Sequence, residues 1–392
     1  MFKTGYLNGL RALAAFSVLT AHCMIWSGWP GFGLPHVPES GAGEPGAAAK
    51  MAVDLFMILS GFLMVLNVHQ RSATEPMSKL NSWFIFYIRR FFRIAPTYYV
   101  SIIVAVLLAG PIIEGLDTLS HRIPWMDKIN YNANGIKYTI ENILLHVTFV
   151  FGLFPVWVDA VTLPDWSLSL EMQFYLVFPA LMLLSNRFGM LKVCALLVPI
   201  CMFATAMWRL NFPEPSLLLF KLPVFCVGML LCHATIVSAR SERFVLRLAA
   251  VALTLTQFQF YGRGTIGIMA VAAFIAVLTV EARGGVFATL QQRILGILDN
   301  RITQLWSDMA YSVYLFHGFF IAIIGGALFH SPTFVAFNPH ARTAILFVAV
   351  LIGTIVVSTF VHRVIEMPGI KAGRRVISRL GSATLEKRVA SA

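Results

Sequence analysis

Charge is what this chain has least of. Only 12% of its 392 residues are Asp, Glu, Lys or Arg, about half the ~25% of a soluble domain, while 58% are hydrophobic. That balance excludes a soluble globular protein, and the high hydrophobicity excludes disorder. Cysteine is scarce too. Cys23, Cys194, Cys201, Cys226 and Cys232 all lie within apolar runs, are odd in number and show no metal-ligand spacing. They read as small buried hydrophobes, and no metal site is expected. Eighteen prolines and 28 glycines are ordinary fractions and exclude a fibrous chain. No internal repeat and no cleavable signal peptide is evident.

What the chain has in abundance is phenylalanine, 32 residues of it, and long apolar runs. Runs able to cross a bilayer fall at about 7–27, 51–68, 95–113, 166–184, 190–208, 216–237, 246–262, 264–281, 305–329 and 342–362. The sequence therefore predicts an all-α membrane protein of about ten transmembrane helices. A further stretch at 143–158 is interrupted by Gly152 and Pro155. It is shorter than the ~17 residues a span needs, and reads as a re-entrant or interfacial segment. The net charge of +12 calls for no nucleic acid, because Lys and Arg collect in cytoplasmic loops. Placing the basic tail (Lys371, Arg374, Arg375, Arg379, Lys387, Arg388) in the cytoplasm puts both termini there. Lys221 is assigned to the outer side in the same scheme. Two units follow, a membrane domain over 1–370 and a basic cytoplasmic tail over 371–392, with outer loops at 28–50 and 110–165.

Ionisable groups within spans cost about 2.5–3.5 kcal/mol each and mark partners or function. Arg11 and His22 are eleven residues apart, ~1100° of helical turn and ~16.5 Å of rise, so they share one face of the first span. The spacing alone is equally compatible with two unrelated residues. Arg89, Arg90 and Arg93 cluster at the cytoplasmic mouth of the third span. Arg90 and Arg93 share a face, suited either to phosphate oxygens or to lipid headgroups. Ser167, Glu171 and Tyr175 form a stripe along the fourth, and Tyr311, Tyr314 and His317 lie in the ninth. Asp54 and Ser60 fall in the second span. Ser60-Gly61 is a small pair that permits close helix approach. Glu366 stands at a helix end, within range of an arginine of the cluster.

The order of these motifs is more specific than any one of them. Arg11-X10-His22, Val53-Asp-Leu-Phe56 with Ser60-Gly-Phe-Leu63, Arg89-Arg-Phe-Phe-Arg-Ile-Ala-Pro96, Trp166-Ser-Leu-Ser-Leu-Glu171, Tyr311-Ser-Val-Tyr-Leu-Phe-His317 and Ile365-Glu-Met-Pro368 together resemble the acyltransferase 3 family of integral membrane enzymes, over about residues 5–370. The resemblance implies transfer of an acetyl group from acetyl-CoA to a hydroxyl of a surface or exported glycan or lipid-linked sugar, in a bacterial cytoplasmic membrane. Arg11 and His22 map onto the family's Arg-X10-His motif, and Arg90 and Arg93 onto its Arg-X-X-Arg motif. In that light Arg11, Arg90 and Arg93 are expected to bind the donor. His22 is expected to act as base or as an acylated intermediate, and Glu171 to orient or charge-stabilise its imidazole. Asp54, Ser60, Tyr311, Tyr314, His317 and Glu366 would contact substrate or support the site. Departures exist. One acidic residue, Glu171, stands where the family often has two, and Met367 replaces a basic residue before the proline. No hydrolase-like domain follows residue 370 as in some members of the family, so direct transfer is expected rather than hand-off to a fused partner domain. A transporter and a non-catalytic subunit of a polysaccharide assembly machine are the other function classes that polar stripes in a bundle allow.

Overall fold

The computed structural model describes residues 4–29, 43–123, 138–158, 160–161, 165–281 and 284–390. Most of the 28–50 loop and the middle of the 110–165 loop lie outside the described residues, which contain helices and turns and no strand.

In chain order the helices are α1 (Gly5–Trp26), α2 (Gly43–Arg71), α3 (Leu80–Leu107), α4 (Ala109–Arg122), α5 (Ile140–Val147), α6 (Trp166–Phe188), α7 (Met190–Trp208), α8 (Leu218–Ile236), α9 (Arg240–Leu253), α10 (Phe258–Tyr261), α11 (Thr265–Leu278), α12 (Gly285–Leu298), α13 (Arg301–Phe320), α14 (Gly326–Phe329), α15 (Pro332–Ala336), α16 (Pro339–Val361) and α17 (Met367–Ala390). Nine helical stretches among the described residues are long and apolar enough to cross a membrane. The tenth run expected from the sequence, 264–281, forms the 14-residue α11. Segment 143–158 contributes the end of the eight-residue α5 and two short 3₁₀ turns. None of these spans by length.

Three boundaries differ from the sequence reading. The third helix starts at Leu80 rather than 95, so Arg89, Arg90 and Arg93 lie within the helix rather than ahead of it. Pro96 is tolerated in mid-helix, as membrane helices allow when neighbours satisfy the freed carbonyl. Glu366 is not at a helix end. It lies in a π-helical turn, His362–Glu366, within a continuous helical run from Pro339 to Leu380. Lys221, assigned above to the outer flank, is inside α8 and fully buried.

The centre of the bundle is built from α1, α2, α8 and α13. In the most apolar window of Leu218–Ile236, 78% of residues are buried, against 22% for Arg240–Tyr261, whose apolar side chains face outward. Between membrane helices apolar burial gives no advantage over lipid, so close backbone approach and polar bonds decide the packing. The α2–α8 contact shows this. A Cβ on Gly61 would meet the carbonyl oxygen of Phe225, and one on Gly228 that of Ile58. Two glycines on facing helices let the backbones touch, which fixes the wall from which Ser60 projects.

Candidate active site

A cavity of about 70 Å³ opens among α1, α2, α6 and α13, enough for about two waters. Its polar lining is Arg11, Ser60, Ser167, Glu171, Tyr311 and Tyr314, and Val53, Phe56 and Phe225 form an apolar wall. The close α2–α8 contact positions Ser60, whose hydroxyl donates to Glu171 Oε1 at 2.9 Å. The Tyr175 hydroxyl donates to the same oxygen. Tyr175 is one turn beyond Glu171, so the Ser167–Glu171–Tyr175 stripe expected from four-residue spacing does face one way. Ser167 and the Tyr314 hydroxyl lie 2.7 Å apart, and the Tyr311 hydroxyl donates to the Ile94 carbonyl.

Of the arginines, Arg11 lines this cavity, and Arg90 and Arg93 stand outside its lining. Arg90 is buried, its guanidinium 5.5 Å from the Phe86 ring centroid and 5.7 Å from that of Tyr175. Its Nε has no hydrogen-bond partner. Arg11 lies within electrostatic reach of Arg93, Glu171, Tyr175 and Glu366. Among the described residues, none accepts a hydrogen bond from Arg11, Arg90 or Arg93, and none forms an ion pair with them. Arg89 differs, being held by both oxygens of Glu75 at 2.8 and 3.0 Å. Guanidinium groups inside a low-dielectric bundle without acceptors form a ready site for a polyanion.

The other end of the α1 stripe carries His22. Its Nδ1 is 2.8 Å from Nε2 of His317, and His317 Nδ1 is 3.1 Å from the Val313 carbonyl. The ring centroids are 5.1 Å apart and the planes 8° from parallel. That separation matches the hydrogen bond plus the two ring radii, so the imidazoles lie edge to edge in one plane rather than face to face. The Tyr314 ring is 6.1 Å from His317.

Two expected pairings are corrected. Glu171 does not bond the imidazole of His22. Its carboxylate is taken by Ser60 and Tyr175, and it is Ser167, one turn earlier on α6, that reaches Tyr314 beside His317. Glu366 does not pair with an arginine of the cluster. Ser312 donates to it and His362 Nδ1 lies 3.1 Å from the same oxygen, His362 and Glu366 being four residues apart on one helix face. Asp54 lies away from the cavity. It is fully buried against Lys221, whose ammonium is 3.0 Å from each carboxylate oxygen and also bonds Gln257 and Tyr261.

Sequence reasoning missed two constellations altogether. One is that Lys221–Asp54–Gln257–Tyr261 network. The other joins Tyr98, His146 and Asp165. The Tyr98 hydroxyl donates to Asp165 Oδ2 at 2.9 Å, and His146 Nε2 is 3.7 Å from the same oxygen. Burial pushes the His146 imidazole down to about 4, so it is neutral at pH 7. A buried lysine was the available signal for the first, and the period-four Asn142–His146 spacing for the second.

Residues 4–362 match the family model described as an acyltransferase domain. The chain belongs to the acyltransferase 3 family. As a member of this acyltransferase family it resembles the exopolysaccharide production protein ExoZ of Rhizobium meliloti (strain 1021), at 26% identity over 349 residues, 85% of this chain and 94% of that protein. The peptidoglycan O-acetyltransferase OatA of Listeria monocytogenes matches at 27% over 183 residues, 45% of this chain and 24% of OatA. Regulator of hypoxia-inducible factor 1 of Caenorhabditis elegans matches at 31% over 142 residues, 36% of this chain and 24% of that protein. No solved structure matches. Every residue lining the cavity lies inside the acyltransferase match, whereas Glu366 and α17 lie beyond it.

Proposed function

We propose that the chain is a membrane O-acetyltransferase that moves an acetyl group from cytoplasmic acetyl-CoA to a hydroxyl of a cell-surface or exported glycan. It would reside in the cytoplasmic membrane with both termini inside. The observation that carries this reading is the polar stripe of α1. One end holds guanidinium groups with no hydrogen-bond or ion-pair partner among the described residues, and the other, ~16.5 Å away by helical rise, holds an imidazole in a hydrogen-bonded pair. CoA is a polyanion with a long neutral arm ending in a thioester, and this arrangement suits both parts. Arg90 and Arg93, with Arg11, would take phosphate oxygens, and the arm would run along the α1 face toward His22. The near full-length similarity to an exopolysaccharide production protein, and the partial one to a peptidoglycan O-acetyltransferase, support a glycan acceptor or a lipid-linked precursor of one.

The chemistry follows from the imidazole. His22 takes the proton of the acceptor hydroxyl as its oxygen attacks the thioester carbonyl, an oxygen–carbon bond forming while the carbonyl becomes an oxyanion. The oxyanion collapses, the carbon–sulfur bond breaks, and the departing thiolate recovers the proton from His22. The ester stays on the glycan and free CoA leaves. No metal is required for these steps. Within reach of Arg11, Glu171 keeps the net charge of the arginine end in check while Ser60 and Tyr175 hold its carboxylate.

The test uses purified protein with labelled acetyl-CoA and candidate glycans. Wild type should release free CoA and label the glycan. His22→Ala should lose about 10²- to 10⁴-fold in kcat and keep its affinity for CoA. Full activity in folded His22→Ala would defeat the mechanism. One acetyl group trapped on His22 without acceptor would replace direct attack by a two-step transfer.

A further inference from the structure

Resting on the reading of His22 as the base, we infer that His317 is the positioning residue that fixes which nitrogen of His22 carries the proton. The hydrogen-bond partners decide where the protons sit. Val313 presents a carbonyl oxygen, which can only accept, so the proton between it and His317 sits on Nδ1 of His317. A neutral imidazole carries one proton. His317 Nε2 is therefore a lone pair, and the 2.8 Å contact to His22 Nδ1 requires the proton on His22. His22 Nε2 is left unprotonated.

The reverse arrangement has no support in the surroundings. If His22 Nδ1 were the acceptor, His317 Nε2 would carry its proton and Nδ1 would turn a lone pair on the Val313 carbonyl. A doubly protonated His317 would satisfy both contacts, but the residue is 1% exposed and no carboxylate among the described residues pairs with either ring. Glu171 in particular is committed to Ser60 and Tyr175.

The consequence is directional. The lone pair of His22 Nε2 points away from the dyad and has no partner among the described residues. Rotation of the ring would break the 2.8 Å bond to His317, so the basic nitrogen keeps one aim. As that nitrogen takes the acceptor's proton, the Nδ1–H bond to His317 strengthens. A neutral histidine thus does what a carboxylate does in a Ser-His-Asp triad, holding tautomer and orientation, in an apolar bundle that would penalise another charge.

Two substitutions separate positioning from packing because they predict opposite orders. His317→Gln keeps an acceptor oxygen near the Nε2 position, and His317→Phe keeps ring shape and apolar fill without an acceptor. If His317 positions His22, His317→Phe should lower kcat about 10- to 100-fold, as loss of an orienting partner does, with KM for acetyl-CoA unchanged, and His317→Gln should recover most of it. If His317 only fills space, Phe is the better substitute, and equal loss in the two variants, or the Phe variant outperforming the Gln variant, overturns the inference. A second measurement needs no variant of His317 to fold. In protein labelled with ¹⁵N-histidine, the His22 signals, identified by their loss in His22→Gln, should report the Nδ1–H tautomer. An Nε2–H signal overturns the proposal. Inactive His22→Ala combined with that signal would leave the base in place and remove His317, whereas an active His22→Ala would remove the base itself.

Discussion

Asp54 and Lys221 form an ion pair inside the bundle. Both are fully buried, and the ammonium is surrounded by Asp54, Gln257 and Tyr261, with the Phe260 and Tyr261 ring centroids 4.7 and 4.6 Å away. Lys221→Met leaves the Asp54 carboxylate with Tyr261 alone, at 2.7 Å. Breaking a buried pair in this way costs about 3–5 kcal/mol, and Asp54→Leu should cost the same, since it strands the ammonium. The double variant removes both charges. What remains is a Tyr261 hydroxyl without its acceptor and a Gln257 Oε1 without its donor. Both faced the same ammonium, so the hydroxyl donates to that oxygen once the ammonium is gone, and the residual cost is about 1–3 kcal/mol. The double variant should therefore be more stable than either single one by about 2 kcal/mol, roughly a 30-fold difference in the folded-to-unfolded ratio. Equilibrium unfolding in mixed SDS micelles, followed by tryptophan fluorescence, measures it. Transfer activity per folded molecule should survive in the double variant, because Asp54 lies outside the cavity lining. Additive destabilisation, or a stable but inactive double variant, would refute the reasoning.

Arg90→Ala and Arg93→Ala should each raise KM for acetyl-CoA by about 10- to 150-fold, the value of one charge-assisted phosphate contact, and calorimetric titration with CoA should show the same loss. Unchanged CoA binding would return both residues to a headgroup role. Gly228→Val places a side chain against the Ile58 carbonyl of α2. It should destabilise by at least the 1–3 kcal/mol of overpacking, read as a lower midpoint in the same unfolding assay. In intact cells, a cysteine at Lys79 should be shielded from impermeant thiol reagents while one at Asn132 labels, as the distribution of basic residues requires. Labelling of both would overturn the assigned sidedness.

The linear chain determined whatever depends on local composition. A run of apolar residues long enough to cross a bilayer is a property of some twenty consecutive positions, which is why nine of the ten runs reappear as long helices. It is also why 143–158, broken at Gly152 and Pro155, does not. Faces within one helix were legible for the same reason. Ser167, Glu171 and Tyr175 follow from the period, and the order of short motifs was enough to suggest the family.

Partner choice was decided elsewhere. His22 meets His317 across 295 positions, Ser60 meets Glu171 across 111, and Lys221 meets Asp54 across 167. No local rule says which of several polar stripes in a bundle will face which. That depends on how closely α2 and α8 approach through Gly61 and Gly228, and on the approach of α13 that brings Ser312 to Glu366. In a lipid-like interior, where apolar burial discriminates little between helix arrangements, backbone proximity and polar pairing select among them. Glu171 was therefore assigned by the sequence to a stripe, and only by the tertiary structure to Ser60 and Tyr175 rather than to His22.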